Sequence, residues 1–133
     1  MMKFFDETKA RHGHDYRGCI FVFGSNLAGR HGKGAALYAV DAYGAQYGVG
    51  RGRTGQAYAI PTKDAELNPL ALMHIEQEVQ EFLYYTRFYQ DVIFFVTRIG
   101  CGLAGYTNEQ MAPMFRGAPE NCIFDIAWKP FLI

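Results

Sequence analysis

The chain lacks an excess of charge of either sign, and it lacks a long hydrophobic run. Its 133 residues include 13 Lys and Arg and 13 Asp and Glu. Non-specific nucleic-acid binding requires a strongly basic surface, so we expect none. No apolar run approaches the roughly 20 residues that span a bilayer. Charges are spread through residues 1–16, which predicts no secretory leader, no membrane association and a cytoplasmic protein.

The sequence also has few cysteines, and their spacing does not fit a metal site. Cys19, Cys101 and Cys122 are odd in number and far apart, which indicates a reducing compartment. His12 and His14 are two residues apart, but a third ligand is missing. No pair of carboxylates has the spacing of a general acid and base. We therefore expect neither a metal nor a cofactor.

Half of the residues are apolar, which is enough for one domain over residues 1–133. The patterns of hydrophobic residues, glycine and proline predict alternating strands and helices. This alternation predicts an α/β fold, with a mostly parallel central sheet and helices on both faces. The weak pattern of residues 1–17 is compatible with a helix. Residues 48–55 are expected to form a flexible connector. The apolar tail 127–133 is expected to dock on the core or to form a dimer contact. The predicted strands are 18–23, 56–61, 91–97 and 122–126, and the predicted helices are 35–43, 68–88 and a short or kinked helix from Thr107 past Pro113.

The most informative segment is Arg98–Leu103, which follows the apolar run Val92–Val96 after one residue. Its glycines allow backbone N–H groups to approach a ligand closely. The carboxyl ends of strands are also where open α/β sheets bind ligands. The residues predicted to bind here are Gly100, Cys101, Gly102, Leu103, Ala104 and Gly105.

A second glycine-rich loop follows the strand Ile20–Phe23 and leads into the predicted helix at 35–43. The N–H groups at a helix N-terminus favour an anion such as phosphate. The alternative is an ordinary flexible connection. The loop lacks the Gly-Lys-Ser/Thr sequence of a Walker A loop. The residues predicted to bind here are Gly24, Ser25, Asn26, Gly32, Lys33, Gly34 and Ala35, and His31 is a further group that could neutralise phosphate.

Three side chains near these loops have both a chemical and a purely structural interpretation. Asn26 could bond a ribose hydroxyl or a water, or it could stabilise its own turn. Lys63 could form a Schiff base with an opened sugar, or it could be an ordinary surface lysine. Cys101 could be a nucleophile, although no histidine is placed as its base, or it could be a small packed residue.

These segments resemble the macrodomain family, whose members bind or hydrolyse ADP-ribose. The resemblance covers about residues 18–126 and is greatest to the small members that remove terminal ADP-ribose from protein glutamates. Arg98–Leu103 resembles the second phosphate loop of that subgroup, and Gly32–Ala36 resembles its first. Tyr58–Lys63 resembles the strand that carries the subgroup's catalytic lysine. The resemblance thus implies a compact three-layer sandwich, with Lys63 as the catalytic lysine.

The resemblance also implies a ligand, namely ADP-ribose or a related NAD-derived nucleotide, with an ADP-ribosylated protein as a partner. Asn26 matches the asparagine with which other macrodomains position ribose and water, and it is the second predicted catalytic residue. The subgroup's catalytic aspartate is replaced by Ala104, and Asp15 is the nearest counterpart of the family's adenine-binding aspartate. We therefore expect binding of ADP-ribose or a related NAD-derived nucleotide. Hydrolysis of an ADP-ribosyl bond is a further activity that the resemblance allows, and the missing acid at Ala104 counts against it. The alternatives are a binding module without catalysis and an unrelated Rossmann-like nucleotide enzyme, for which Asp64 is the only candidate ribose-binding acid.

Overall fold

The computed structural model describes residues 2–5 and 19–133, and its central element is a six-stranded sheet. The predictions for His12, His14 and Asp15 lie outside the described residues. The strands are β1 (Lys3–Phe5), β2 (Ile20–Asn26), β3 (Gly52–Thr54), β4 (Ala57–Lys63), β5 (Phe94–Val96) and β6 (Cys122–Asp125). The helices are α1 (Gly34–Tyr43), α2 (Leu72–Thr86), α3 (Asn108–Met111) and α4 (Lys129–Leu132).

The strand order across the sheet is β1-β6-β5-β2-β4-β3. All neighbouring strands are parallel except β3, which pairs antiparallel with β4. Strand β2 lies between β5 and β4, and Val22 and Phe23 are fully buried because both faces of the sheet are covered. The carboxyl ends of β2, β4 and β5 therefore meet at one edge of the sheet.

Helices cover both faces of this sheet, and each face has its own hydrophobic cluster. Helix α1 packs through Ala39 against Phe21 and Phe23. On the opposite face, the buried side of α2 packs with the other end of the chain, where Trp128 is fully buried. The predicted α/β class, with a mostly parallel sheet between two helical layers, is confirmed.

Two short strands lie where the sequence pattern predicted other structure. Lys3–Phe5 forms β1 rather than part of a helix, and the Phe5 ring lies 4.7 Å from that of Phe95. Part of the expected connector at 48–55 is β3, which is joined to β4 by the two-residue turn Gly55–Gln56. Each of these strands has only three residues, which is too short for the alternating pattern that identifies a strand.

Helix α2 begins at Leu72, later than the predicted start at Asn68–Pro69. The segment before it is held against β4, because the Leu70 N–H donates to the Thr62 carbonyl at 2.8 Å and Pro69 bridges Lys63. These tertiary contacts outweigh the local helix-start signal.

The carboxyl-terminal third follows its sequence signals more closely. Thr107 and Gln110 form the predicted capping box, and Pro113 lies in a 3-10 turn at Ala112–Phe115. The predicted docking of the tail on the core is confirmed by Trp128, whose indole N–H also donates to the Asn108 side chain at 3.0 Å. Within residues 2–5 and 19–133, every helix is too short or too polar to cross a bilayer.

Candidate functional site

A cavity of about 470 Å³ opens where the carboxyl ends of β2, β4 and β5 meet. The loop after β2 forms one side, and the loop after β5 forms the other. All of the predicted binding residues except Gly105 line this cavity, and Lys63 lines it as well. The structure therefore brings together segments that are up to 80 residues apart in the sequence.

Buried threonines hold the three strand ends together. The Thr97 hydroxyl donates to the Val22 carbonyl at 2.7 Å, which ties the end of β5 to β2. The Thr62 hydroxyl donates to the Ser25 carbonyl at 3.2 Å, which ties the end of β4 to β2. A Cβ added at Gly24 would lie 3.6 Å from the backbone nitrogen of Gly100, so the two loops start close to each other.

The first loop ends at the N-terminus of α1, where backbone donors are available. Lys33 is the N-cap residue, and no side chain caps the helix. The Leu37 N–H already bonds the Lys33 carbonyl. The N–H groups of Gly34, Ala35 and Ala36 precede it and have no carbonyl within the helix to bond. Together with the positive end of the helix dipole, they favour an anion at this end of the cavity.

The first loop is supported from behind by residues 48–50. The Ser25 hydroxyl donates to the Gly50 carbonyl, and the Gly48 N–H donates to the Gly29 carbonyl at 2.8 Å. A Cβ at Gly50 would lie 2.1 Å from the Asn26 carbonyl oxygen, so this approach requires glycine. The Ser25 hydroxyl is thus used to support the loop.

His31 supports the same loop and is not among the residues lining the cavity. The side chain is 1% exposed, and Nε2 lies 2.9 Å from the Val49 carbonyl oxygen. Its ring meets the Phe23 ring edge-on at 5.2 Å. The expectation that His31 neutralises phosphate is therefore wrong, because its imidazole points into the protein rather than into the cavity.

The second loop is shaped by two glycines with positive φ. Gly100 has φ +78°, and a Cβ there would lie 2.8 Å from the sulfur of Met111. Gly105 has φ +83°, and its N–H donates to the Gly102 carbonyl at 3.0 Å. Gly105 closes the loop and does not line the cavity, so its predicted binding role is not supported.

Cys101 lines the cavity, but its polar groups are already engaged. Its N–H donates to the Arg98 carbonyl at 3.1 Å, and its thiol lies 3.7 Å from the Ile99 carbonyl oxygen. Burial raises the pKa of this thiol, which keeps it protonated at neutral pH and disfavours a nucleophilic role. In contrast, the N–H groups of Gly102 and Leu103 make no backbone hydrogen bond to another described residue.

Asn26 has the turn-stabilising role that was the structural alternative. Its side-chain nitrogen donates to the Arg30 carbonyl at 2.9 Å, and its side-chain oxygen accepts from the Arg30 N–H at 3.0 Å. The residue is 4% exposed. One N–H and one oxygen lone pair remain for a ligand, so Asn26 contributes more to the shape of the loop than to chemistry.

The side chains around the cavity carry positive charge. Four cationic residues line it, and no Asp or Glu is among its described lining residues. Lys63 is half-buried, and no salt bridge joins it to another residue of the described ranges. Asp64 instead accepts hydrogen bonds from the Glu66 and Asn68 N–H groups, so it does not serve as a ribose-binding acid. The cationic lining residues are Arg30, Lys33, Lys63 and Arg98.

Several lining residues were not predicted as ligand-binding: Arg30, Ala36, Thr62, Leu67, Thr97 and Arg98. Thr62 and Thr97 each directly follow the apolar part of a strand, and that position is the signal that could have identified them. Leu67 had no sequence signal, because it lies in a turn between β4 and α2. Within the described ranges, no three His, Cys, Asp or Glu side chains are grouped to hold a metal ion.

Comparisons of the sequence found no matching family model, and no match was found among curated proteins. The structure does have solved relatives. The macrodomain of Mycobacterium tuberculosis DarG matches with a TM-score of 0.64 at 18% identity, over 94% of this chain and 97% of that one. Thermosipho africanus DarTG in complex with ADP-ribose matches with a TM-score of 0.58 at 14% identity, over 84% of this chain and 39% of that one.

A protein of unknown function from Bacteroides thetaiotaomicron matches with a TM-score of 0.58 at 17% identity, over 95% of this chain and 98% of that one. Identities this low establish the shared architecture, and they leave the activity to be argued from the cavity itself. The fold implied by the sequence resemblance is confirmed, and the chain has the macrodomain fold.

Proposed function

We propose that this protein binds ADP-ribose, or a related NAD-derived nucleotide, in the cavity between its two glycine loops. The diphosphate would lie between the N-terminus of α1 and the backbone of Gly102 and Leu103. One similar structure, that of Thermosipho africanus DarTG, is described as a complex with ADP-ribose. The cavity volume of about 470 Å³ is in the usual range for sites of small molecules.

The observation that carries this proposal is that backbone N–H donors and cationic side chains surround the same cavity. Uncapped N–H groups at the start of α1 lie on one side, and four cationic side chains line the cavity, with no Asp or Glu among its described lining residues. A diphosphate carries two negative charges and many acceptor oxygens, so it can use both kinds of group. A neutral ligand would use the backbone donors but not the charge of these side chains.

Isothermal titration calorimetry with ADP-ribose, AMP and ribose 5-phosphate tests the proposal. ADP-ribose should bind at least tenfold more tightly than either fragment, because only it reaches both glycine loops. Its affinity should fall as salt rises, since the cations are partly exposed. Equal affinity for AMP and ADP-ribose would contradict the two-sided arrangement.

A pair of arginine variants separates the cavity from general surface charge. Arg98→Gln removes a cation of the cavity, whereas Arg87→Gln removes an exposed cation at the end of α2. The first should weaken ADP-ribose binding about tenfold, since a hydrogen bond to a charged group is worth about 1.5 kcal/mol and each 1.4 kcal/mol is about tenfold in affinity. The second should leave binding unchanged.

A second activity, hydrolysis of an ADP-ribosyl bond, is favoured by the position of Lys63 in this cavity. Its neutral amine would attack the anomeric carbon of the distal ribose, and the bond to the leaving carboxylate would break, which gives a glycosylamine. The ring C–O bond at the same carbon would then break as the C=N bond forms, and the ring oxygen would take up the proton of the nitrogen. Water would then hydrolyse the resulting imine, which releases ADP-ribose and restores the amine. The partner in this reaction would be an ADP-ribosylated protein.

Ala104 stands where the similar enzymes place an acid, so we expect slow turnover and a protein that acts mainly by binding. Release of ADP-ribose from a glutamate-modified protein, measured with wild-type protein and Lys63→Ala, tests this activity. The three cysteines are odd in number and far apart in the sequence, and we propose a reducing, cytoplasmic setting for either activity.

A further inference from the structure

Leu67 has an unusual backbone conformation at the edge of the cavity. Its φ is +69°, and it is the single non-glycine residue with positive φ among residues 2–5 and 19–133. A side chain with a Cβ rarely adopts this conformation, because the Cβ crowds the backbone. Residues held in this way are often found where a ligand is bound, so the position calls for a physical explanation.

The turn that contains Leu67 does not explain why leucine is there. The Leu67 N–H donates to the Asp64 carbonyl at 3.1 Å, and the Asp64 N–H donates to the Asn68 carbonyl at 2.8 Å. The Asp64 carboxylate also accepts from the Glu66 and Asn68 N–H groups. This is a type I turn followed by a left-handed residue, and glycine or asparagine suits that last position best.

Packing of the core does not explain the leucine either. Leu67 is 43% exposed and belongs to neither hydrophobic cluster of the described chain. Leu67 lines the cavity, where Leu103 at 69% exposure is the other exposed large apolar residue. Pro69 pairs with Lys63, so the turn places Leu67 on the Lys63 side of the cavity.

We propose that Leu67 is a specificity-determining residue that packs on the apolar face of the sugar beyond the diphosphate. This inference rests on the proposed function, in which Lys63 faces the same sugar. The carbon-bound face of a sugar ring is apolar, and burying it against a leucine side chain removes both surfaces from water. Leu67 would thus distinguish ADP-ribose from ADP, which has the same base and diphosphate but lacks the second sugar.

The test compares ADP-ribose with ADP in wild-type protein and in Leu67→Gly. The glycine variant removes the side chain and also relieves the left-handed strain. Its melting temperature should therefore be unchanged or higher, while its affinity for ADP-ribose falls about tenfold and its affinity for ADP stays the same. A residue that only stabilised the fold would not give higher stability together with a loss restricted to one ligand.

Leu37→Ala is the control, because Leu37 is 41% exposed on α1 and does not line the cavity. It should leave both affinities unchanged. Equal losses for ADP and ADP-ribose in Leu67→Gly, unchanged affinity for ADP-ribose, or a marked drop in melting temperature would each overturn the assignment. Wild-type protein that binds neither nucleotide would instead refute the proposed function, and this inference with it.

Discussion

Gly102→Glu is the substitution that best separates binding from folding in this protein. Gly102 is exposed, lines the cavity, and lies outside the left-handed region of backbone space. A Cβ added there meets no atom within 4 Å. The glutamate should therefore be accepted by the fold, while its carboxylate enters the space where the diphosphate is proposed to lie.

The expected loss follows from the charge that the new side chain brings to the phosphates. Two unit charges 4 Å apart repel by about 1 kcal/mol in bulk water and about 4 kcal/mol near a protein surface. The diphosphate carries two charges, and Gly102 is open to solvent, so the lower part of this range applies. A total of about 3 kcal/mol corresponds to affinity that is roughly a hundredfold weaker.

Calorimetry with ADP-ribose and thermal melting should be measured on Gly102→Glu, Gly102→Gln and Gly102→Ala. Glutamine has nearly the same size as glutamate but no charge. The ratio of the ADP-ribose affinities of Gly102→Gln and Gly102→Glu therefore isolates the electrostatic part of the loss. Added salt should narrow that ratio. A glutamate variant that melts like wild type and binds ADP-ribose normally would refute the placement of the diphosphate at this loop.

Four further outcomes test the assignments of single side chains. Ala104→Asp should raise the release of ADP-ribose from glutamate-modified protein, and adding Lys63→Ala should abolish that gain; turnover indifferent to Lys63 would exclude the imine route. Cys101→Ser should bind ADP-ribose with an affinity within about twofold of wild type, because the thiol is packed and protonated. A large loss of affinity in calorimetry would show that the Cys101 thiol contacts the ligand. His31→Gln, which retains a donor near the Nε2 position, should protect the amides of residues 29–34 from hydrogen exchange better than His31→Asn; equal exchange would refute the support by Val49. Burial raises the pKa of Cys122 to about 12. Above about pH 8.5 this thiol therefore ionises in the unfolded chain first, and the free energy of unfolding falls by up to about 1.4 kcal/mol per pH unit. In urea melts from pH 8 to 11, the free energy of unfolding should fall less steeply with pH for Cys122→Val than for wild type, and equal slopes for the two proteins would contradict the raised pKa.

The parts of the fold that could be predicted from the sequence are those with a continuous hydrophobic signal. The run Ile20–Phe23 is apolar because β2 is covered on both faces, and that pattern is readable without a structure. Strand β3 and the late start of α2 could not be predicted in this way. Both depend on backbone hydrogen bonds to β4, and nearly every residue type carries the same backbone donor and acceptor.

The candidate site was predictable to a similar extent and for a related reason. The glycines and the helix start marked both loops, because these features act locally. The sequence did not reveal which polar side chains face the ligand and which support the loop. Asn26 and His31 both belong to the loop after β2 that forms one side of the cavity, yet their polar atoms bond the backbone of Arg30 and of Val49.

A local mismatch between residue and conformation is a more specific indicator of function than proximity to a loop. At Gly100, glycine stands where φ is positive and where a Cβ would meet Met111, so local structure accounts for the residue. At Leu67, the turn favours glycine and the chain has leucine. Since strain of this kind lowers stability without helping the turn, we infer that its explanation lies in a ligand contact of the side chain. The cavity is the feature of the structure that Leu67 lines, which is why its comparison with ADP-ribose and ADP is informative.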